Sequence, residues 1–408
     1  MDQIASLAAE QPTRSAGLAR LEAFRPNMGS RYAKGRNYDN GPGRHTAVST
    51  LSPYIRRRLV TEEEAVRMAL SEFPLSACEK FVQEVFWRTY FKGWLEGRPS
   101  VWMAYRAGLA RDLDAIAGDR ALAKRIAQAE EGRTGLDCFD AWAEELVETG
   151  YLHNHARMWF ASLWIFTLEL PWRVGADFFL RHLLDGDPAS NTLGWRWVAG
   201  LHTKGKNYSA QAWNIAKFTR NRFQPEPREI NEAAVPLEEH GETPPHAPPR
   251  LPEPFEPTRP TVLLITEEDC RPEELIATDG LLGVAALEAP ALRSPRDVAD
   301  HVGAFDHGAL MDAADRLERA PHWLAAGDPA SLADWARAQG AEQVVTPFVP
   351  VGPVRDWLDE AERPLGDAGI RLAEVRRDWD TLTWPSATAG FFKVKSKIPK
   401  VLGQIGIG

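Results

Sequence analysis

A proline-rich segment divides this chain and limits what either side of it can fold into. Residues 224–260 contain eleven prolines among acidic residues, in the run QPEPREINEAAVPLEEHGETPPHAPPRLPEPFEPTRP. Proline has no backbone N–H and fixes φ, so neither a helix nor a central strand forms at that density. In a polyproline-like form, at about 3.1 Å per residue, the segment predicts a stiff acidic linker between two domains, residues 1–223 and 261–408.

The length and composition indicate a globular protein that works in a reducing environment. The 408 residues suffice for two domains with their own cores, and 44% of them are hydrophobic. No apolar run approaches the about 20 residues of a membrane span, and the first residues, MDQIASLAAEQPTR, lack a signal-peptide pattern. The three scattered cysteines argue against a zinc or iron–sulfur site. We therefore expect a cytoplasmic protein with no membrane partner and no metal, and a monomer is favoured.

The net charge of −9 hides an asymmetry between the two sides. Residues 1–223 carry 30 Lys and Arg against 25 Asp and Glu, a net of +5, whereas residues 224–408 carry 18 against 32, a net of −14. Phosphate binding follows the local field and not the total charge. The basic side therefore keeps a nucleic-acid partner open, although the asymmetry is also compatible with incidental charge.

Apolar periodicity differs between the two sides. Helical spacing on the first side predicts helices over 62–70, 77–95, 137–149, 154–168 and 176–184, the first with a capping box at Thr61. On the second side, strands predicted at 261–266, 281–287, 343–346 and 371–375 alternate with helices at 309–320, 331–339 and 353–367. The fold class predicted is therefore an all-helical domain followed by a parallel-sheet, Rossmann-like α/β domain.

Tryptophan is concentrated in one part of the first side. Ten of the fifteen tryptophans lie between Trp87 and Trp213, interleaved with amides and carboxylates. The motifs there are His153-Asn154-x-x-Arg157-Met158, Asp185-Gly186-Asp187 followed by Asn191, and Trp195-Arg196-Trp197. A plain aromatic core would account for isolated tryptophans, but these motifs in this order resemble the flavin-binding helical domain of the DNA photolyase and cryptochrome family.

The resemblance implies FAD as cofactor and UV-damaged DNA as partner. In that family an α/β antenna domain precedes the flavin domain, so the faint likeness of residues 261–408 to it implies a circular permutation. A second antenna chromophore is a further expectation of that likeness, and its identity is open.

Two upstream segments extend the resemblance. Tyr32-x-x-x-Arg36 and the run Val48 to Tyr54 are similar to the family's flavin-phosphate loop, which implies cofactor contacts by Tyr32, Ser49, Thr50, Leu51 and Ser52. Phe81-Val-Gln-Glu84-Val-Phe-Trp87-Arg88 is similar to the family's W-x-N-E-L-x-W-R motif. Phe81 and Arg88 would then contact the flavin, Glu84 would hydrogen-bond the DNA lesion and protonate it, and Trp87 would stack on it. A Ser/Thr-rich turn and a surface Glu–Arg pair are the simpler alternatives.

For the flavin ring, the resemblance assigns Asn154 and Asn191 to the side of N5, and Asp187 to the ribityl chain or ring edge. It also pairs Arg157 with Asp185, which Gly186 separates from Asp187 in the motif. A buried ion pair with capping residues is the structural alternative.

For the substrate, Met158 and Asn154 follow the pattern of enzymes that act on cyclobutane dimers, since the (6-4) branch has histidines there. Trp197 and Trp87 would form the walls of the dimer pocket. Trp195 and Trp172 match the inner members of the family's electron-transfer chain, while Ala129 stands at the outer position. DNA phosphates are expected at four further residues, Arg36, His155, Lys204 and Lys206.

These expectations predict a deoxyribodipyrimidine photolyase, a carbon–carbon lyase that uses light and reduced FAD. The alternative is a cryptochrome-like blue-light photoreceptor that binds FAD and signals through a protein partner. A light-independent flavoprotein or scaffold is the third class, and absence of FAD from the purified protein would favour it.

Overall fold

The computed structural model describes residues 11–239 and 244–407. Their contacts form two compact units, each built from separate stretches of chain. Of the described residues, the first unit contains 30–50, 100–239 and 244–245, and the second contains 11–29, 51–99 and 246–407. These units cut across the division at residues 223 and 261, which stays a prediction about domains.

Helices occupy most of the chain before residue 219, and helices alternate with strands after residue 260. The helices are α1 (Arg14–Phe24), α2 (Ser30–Gly35), α3 (Ser52–Arg56), α4 (Glu62–Glu72), α5 (Leu75–Glu96), α6 (Pro99–Gly118), α7 (Arg120–Glu130), α8 (Asp137–Thr149), α9 (Asn154–Ser162), α10 (Trp172–His182), α11 (Pro188–Val198), α12 (Ala212–Phe218), α13 (Asp300–Arg316), α14 (Ser331–Ala338), α15 (Pro353–Asp367), α16 (Asp378–Thr383), α17 (Phe392–Lys395) and α18 (Ile398–Gln404). The strands are β1 (Thr261–Ile265), β2 (Gly283–Glu288), β3 (His322–Ala325), β4 (Gln343–Pro347) and β5 (Arg371–Val375). The predicted fold class is confirmed.

Local signals explain where several of the helices begin and end. The capping box at Thr61 is present, because its hydroxyl accepts from the Glu64 N–H and the Glu64 carboxylate accepts from the Thr61 N–H. Helix α8 ends at Gly150, whose φ of 66° is open to glycine without strain. None of the helices in the described part of the chain is long and apolar enough to cross a membrane.

The helix predicted over 154–168 is not regular to its end. Helix α9 stops at Ser162, and residues Leu163–Thr167 form one π-helical turn, closed where the Leu168 N–H donates to the Leu163 carbonyl at 2.8 Å. Periodicity does not detect this turn, because residues 163–166 are all apolar and an unbroken apolar run gives no phase in which one inserted residue could be seen. Such turns are often found at functional sites.

The second unit contains a parallel sheet with strand order β3-β2-β1-β4-β5. Helices α13, α14 and α15 make the later crossovers, and the strands β1 and β4 are buried along their whole length. The chain order reverses between β1 and β4, which makes the carboxyl ends of these strands the topological switch point. Strand β3 was missed from the sequence, since it has only four residues at a sheet edge and is mostly exposed.

The switch point is filled by the protein's own charged side chains. The loop after β1 carries Glu267, Glu268 and Asp269, all buried, and the three consecutive arginines 56–58 reach into it. Arg56 Nη2 donates to Glu267 at 2.9 Å and to Glu268 at 2.7 Å. Further pairs of this cluster are Arg57–Asp306, Arg58–Asp380, Arg58–Asp269, Arg58–Glu62, Lys92–Glu268, Arg293–Asp306, Arg293–Glu267 and Arg377–Asp269.

The proline-rich segment contains no helix or strand in its described residues 224–239 and 244–260, as predicted. It is not a free spacer, however. In the first unit, the Leu237 N–H donates to the Ala199 carbonyl at 2.9 Å. In the second unit, the Ala247 N–H donates to the Gly97 carbonyl at 2.9 Å and Arg250 pairs with Glu374. Proline leaves carbonyl acceptors and ring surface available, so the segment packs against each unit without regular structure.

We expect Asp306→Asn to destabilise the protein by about 3–5 kcal/mol, because a buried pair that loses one partner leaves uncompensated charge on the other. Arg57 and Arg293 would each lose this carboxylate, since Arg57 Nε donates to it at 2.5 Å and Arg293 Nη2 at 2.9 Å, and Arg293 would keep Glu267 at 3.2 Å. Urea unfolding monitored by circular dichroism measures the change. Asp334→Asn is the matched control, because Asp334 pairs with Arg337 on the exposed face of α14 and should change little.

The same carboxyl gives a pH dependence. Burial alone would raise the pKa of Asp306, but Arg293 and Arg57 outweigh it and lower that pKa below its ordinary 3.8. A carboxyl whose pKa is lower in the folded than in the unfolded protein stabilises the fold at any pH above the unfolded-state pKa. This stabilisation is lost as the pH falls through the folded-state pKa. The destabilisation by Asp306→Asn should therefore shrink as the pH is lowered below about 4. An equal effect of both variants at pH 7 would contradict the structural role of this cluster.

Candidate functional site

The residues expected to hold the flavin ring lie on two segments of the first unit. Arg157 is in α9, and Asp185 is buried in the turn between α10 and α11. Arg157 Nη2 donates to both Asp185 carboxylate oxygens at 3.0 Å, and Arg157 Nε donates to the Leu152 carbonyl at 2.8 Å. The predicted ion pair is therefore present, and the guanidinium plane is fixed by a third bond.

The Asp185-Gly186-Asp187 turn places its second carboxylate at the start of α11. The Gly186 N–H donates to the Leu183 carbonyl at 3.0 Å, which closes the turn. Asp187 is the N-cap of α11 and accepts from the Ser190 N–H at 2.7 Å, while Asn191 Nδ2 donates to the Ala176 carbonyl at 2.8 Å. Asp187 and Asn191 thus have structural roles, and their contacts with flavin stay predictions.

Helix α11 also carries polar atoms whose hydrogen-bonding capacity is unmet. Ser190 Oγ, Thr192 Oγ1 and Trp195 Nε1 are buried and have no hydrogen-bond partner among the described residues. The edge of an isoalloxazine ring has carbonyl acceptors and an N–H donor. The hydroxyls, the indole N–H and Arg157 can donate to such carbonyls, and Asp185 can accept from such an N–H. The polar groups of the first unit therefore fit FAD.

The residues expected to face the substrate from the first unit are accessible. Asn154, the first residue of α9, is exposed, and Met158 one turn later is half-buried. Trp197 is 38% exposed and stacks on Tyr208 with ring centroids 5.6 Å apart. Lys204 and Lys206 are both exposed in the turn that follows α11.

The two histidines beside Asn154 are integrated into the protein. His153 is the N-cap of α9, accepting from the His155 N–H at 3.2 Å, and burial lowers the pKa of His153 to about 3. His155 stacks on Trp159 at 4.1 Å and its Nδ1 lies 3.0 Å from the Asn37 carbonyl oxygen. Burial also lowers the pKa of His155, so both rings are neutral near pH 7. A phosphate contact by His155 stays a prediction.

The tryptophans of the expected electron path are buried but not in direct ring contact. Trp195 meets Trp164 edge to face at 6.3 Å and Phe179 at 5.1 Å. Trp172 contacts Tyr105 at 5.8 Å, and the Arg173 guanidinium lies 4.9 Å from its ring centroid. The indole next to Trp195 is therefore Trp164, which periodicity alone could not place.

The α5 motif belongs to the second unit. Phe81 is buried with its ring 6.2 Å from that of Phe24, while Glu84 and Arg88 are half-buried. The Trp87 ring stacks on that of Phe391, with centroids 4.0 Å apart and planes inclined by 13°. One face of the indole expected to receive a base is thus covered by the C-terminal segment of the chain.

The flavin-phosphate loop contains a strained residue. Thr50 has φ of +50°, which is unfavourable for a β-branched side chain, and its hydroxyl donates to the Ser49 carbonyl at 2.8 Å. Leu51 is the buried N-cap of the short α3, which starts at Ser52. Strain of this kind concentrates at ligand-binding segments.

The other two residues expected near this loop lie on α2 and just after it. Tyr32 is buried, and its carbonyl accepts from the N–H of the half-buried Arg36 at 2.9 Å.

Sequence reasoning missed two neighbours of the candidate residues. Phe391 lies in an aromatic-basic run that is visible in the sequence but carries no indication of its partner. Glu239, from the proline-rich segment, pairs with Arg173 and Arg196 at 2.6 Å each. Both contacts join residues far apart in the chain, and only the folded structure reveals them.

Part of this chain is similar to known proteins. Residues 81–231 match the family described as the FAD binding domain of DNA photolyase. The chain is 37% identical over 158 residues to the deoxyribodipyrimidine photo-lyase of Streptomyces griseus, covering 38% of this chain and 33% of the relative. A deoxyribodipyrimidine photo-lyase of Thermus thermophilus is 36% identical over 200 residues, covering 48% of this chain and 45% of the relative.

Among solved structures, a class III photolyase from Agrobacterium tumefaciens has a TM-score of 0.40 and 27% identity, covering 50% of this chain and 42% of that one. The chain thus spans less than half the length of these relatives. Residues 30–52, with the predicted phosphate loop, lie before the matched segment. The circular permutation stays a prediction.

We expect Gly175→Ala to destabilise the first unit by about 1–3 kcal/mol, because overpacking a filled core forces neighbouring groups to move. A Cβ at Gly175, inside α10, would lie 2.3 Å from the Trp195 ring and 2.9 Å from that of Trp164. Urea unfolding and the near-ultraviolet dichroism of tryptophan measure the effect.

Gly194→Ala is the control, because Gly194 lies inside the neighbouring α11 and a Cβ there meets nothing within 4 Å. That variant should be neutral or more stable by up to about 1 kcal/mol, since alanine favours helix over glycine. Equal stability of the two variants would contradict the close packing of Trp195 on α10.

Proposed function

We propose that this chain, whose residues 81–231 belong to the family of FAD-binding domains of DNA photolyase, splits cyclobutane pyrimidine dimers in DNA under blue light. The observation that carries the proposal is the Arg157–Asp185 pair, formed inside the matched segment, which also contains the unmet polar atoms of α11. The relatives named deoxyribodipyrimidine photo-lyase support the same reaction class.

The residues that would hold FAD are those of the first unit. Arg157 and Asp185 present a fixed donor and acceptor to the flavin ring edge, and the Trp195 N–H and the α11 hydroxyls offer further partners. When bound and reduced, FAD supplies the electron that light transfers to the dimer, while the protein supplies binding, orientation and electrostatics.

The substrate would be recognised by side chains that suit an unstacked base. Trp87 and Trp197 offer aromatic faces, and such stacking tolerates any base because every base has a π-face. Met158 adds an apolar contact, and Glu84 would hydrogen-bond a pyrimidine carbonyl and hold the proton that it needs. Extruding a damaged, weakly paired base requires little energy, which favours the lesion over intact DNA.

A cryptochrome-like photoreceptor is the second candidate, and one observation favours it. Phe391 covers one face of Trp87, so the C-terminal segment occupies a surface that repair requires. In a photoreceptor that segment would respond to the flavin and engage a protein partner. Repair and signalling are distinguished by dimer splitting itself.

We expect chemically reduced, full-length protein to split a cyclobutane thymine dimer in single-stranded DNA under blue light and not in the dark. Glu84→Gln should lower the rate by about 100-fold or more, because it removes the acid while keeping the shape of the side chain. Loss of dimers is measured by chromatography of the digested DNA. Glu72→Gln, which changes an exposed carboxylate on α4, should leave the rate unchanged.

If the wild-type protein holds FAD that photoreduces but splits no dimer, the photolyase proposal is wrong and the photoreceptor takes its place. If the purified protein holds no FAD when supplied with it, both proposals are wrong.

We expect Phe391→Ala to bind dimer-containing single-stranded DNA about three- to tenfold more tightly, because an aromatic pair is worth about 0.5–1.5 kcal/mol and competes with the base for Trp87. Fluorescence anisotropy of a labelled oligonucleotide measures the affinity. Phe392→Ala is the matched control, since Phe392 is the next residue and is 81% exposed. Unchanged or weaker binding by a folded Phe391→Ala protein would show that the stack does not compete with DNA.

A further inference from the structure

A buried group of metal-ligating side chains lies in the first unit, apart from the residues expected to contact flavin or DNA. Asp39 and His45 belong to the loop after α2, and Glu145 belongs to α8. One ligand atom from each of the three residues lies within 4.8 Å of the others. The side chains of His45 and Glu145 are only 5% and 2% exposed, and Asp39 is fully buried.

The separations suit ligands of one ion. His45 Nε2 and Glu145 Oε1 lie 3.1 Å apart. Two ligand atoms on a tetrahedral ion, with bonds of about 2.0–2.2 Å, stand about 3.3–3.6 Å apart. An ion would therefore need the His45–Glu145 pair to open by only a few tenths of an ångström, while Asp39, whose ligand atom lies within 4.8 Å of the other two, would move inward.

Neighbouring groups orient the potential ligands. Asp39 accepts from the Gly41 N–H at 3.0 Å through Oδ1, and from Trp142 Nε1 at 2.9 Å and Arg222 Nη2 at 2.5 Å through Oδ2. Outer partners of this kind fix a carboxylate for metal binding. The His45 ring is held between His153 and Tyr151, with ring centroids 5.5 and 5.2 Å away.

The tautomer that a metal needs is open to His45. His45 Nδ1 is buried and has no hydrogen-bond partner among the described residues, so it can carry the ring proton and leave the Nε2 lone pair for an ion.

We propose that Asp39, His45 and Glu145 bind one divalent first-row transition-metal ion of the Zn²⁺ class. One imidazole and two carboxylates are a donor set for such ions, with a water in the fourth position, whereas Mg²⁺ prefers oxygen donors in octahedral geometry. The ion would fix the loop of residues 39–50, which ends in the predicted flavin-phosphate residues, against α8. The expectation of no metal rested on cysteine spacing, which carries no information about this group.

The site is independent of the proposed photolyase activity, because its test needs neither light nor DNA. Full-length protein is stripped with a chelator and dialysed to equilibrium against Zn²⁺, and bound metal is counted by mass spectrometry. We expect one Zn²⁺ per chain and a raised Tm, because the ion binds only the folded state. Glu145→Gln should weaken Zn²⁺ binding by about tenfold or more.

The matched control is Glu288→Gln. Glu288 pairs with His307 at 2.8 Å in the second unit, and both side chains are about half exposed. This change removes the carboxylate of another His–Glu pair, so Zn²⁺ binding should be unchanged. Equal Zn²⁺ affinity of Glu145→Gln and wild type, or no Zn²⁺ bound by wild type, would overturn the proposal.

A measurement on wild type alone covers the case in which Glu145→Gln does not fold. Added Co²⁺ should produce the visible absorption of a four-coordinate nitrogen–oxygen site, and Zn²⁺ should abolish it. A thiolate-to-cobalt band would assign the metal to one of the three cysteines instead, and an unchanged spectrum would exclude the site; either result overturns the proposal.

Discussion

The second unit depends on the buried ion pairs between arginines 56–58 and the acidic loop after β1. Charges inside a protein are unfavourable unless each has a partner in good geometry, so such a cluster tolerates few alternative arrangements. Arg58 illustrates this, because it contacts Asp380 at 2.6 Å and Asp269 at 3.4 Å. Asp269 follows the first strand of the sheet, and Asp380 follows the last. The cluster therefore specifies which parts of the chain come together at the switch point.

This constraint extends to the helix that carries Glu84 and Trp87. On α5, Lys92 pairs with Glu268 at 3.1 Å, and the Thr89 hydroxyl accepts from Trp379 Nε1 at 2.8 Å. A Cβ at Gly93, on the same helix, would lie 2.6 Å from the Trp384 ring. The α/β part of the chain is thus required to position α5. Phe391, from the same part of the chain, also covers one face of the Trp87 ring, so the folding of this part and access to Trp87 are linked.

The sequence predicted the features that local chemistry determines. Helix α8 has the bounds expected from apolar spacing, and the parallel sheet follows from the alternation of strands and helices. The Arg157–Asp185 pair came from the family resemblance. Contacts such as Phe391 with Trp87 could not be predicted, because they join residues about 300 positions apart and no local pattern encodes them. The same reason hid the Asp39, His45 and Glu145 group, whose members have no motif spacing.

The tryptophans of the first unit distinguish a packing role from a binding role. Trp142, Trp159 and Trp164 are fully buried, and each indole N–H donates, to Asp39, to Asn214 and to the Pro171 carbonyl. Trp195 is equally enclosed, yet its N–H has no partner among the described residues. An unsatisfied buried donor costs about 1–3 kcal/mol, which these three tryptophans avoid, whereas Trp357 and Trp384 of the second unit also bury an N–H without a partner among the described residues. Trp195 is also one of the two indoles that the family resemblance assigns to the inner part of the electron-transfer chain. A ligand that accepts the hydrogen bond of the Trp195 N–H would remove this cost. The unmet N–H is therefore consistent with the proposed binding of FAD in the first unit.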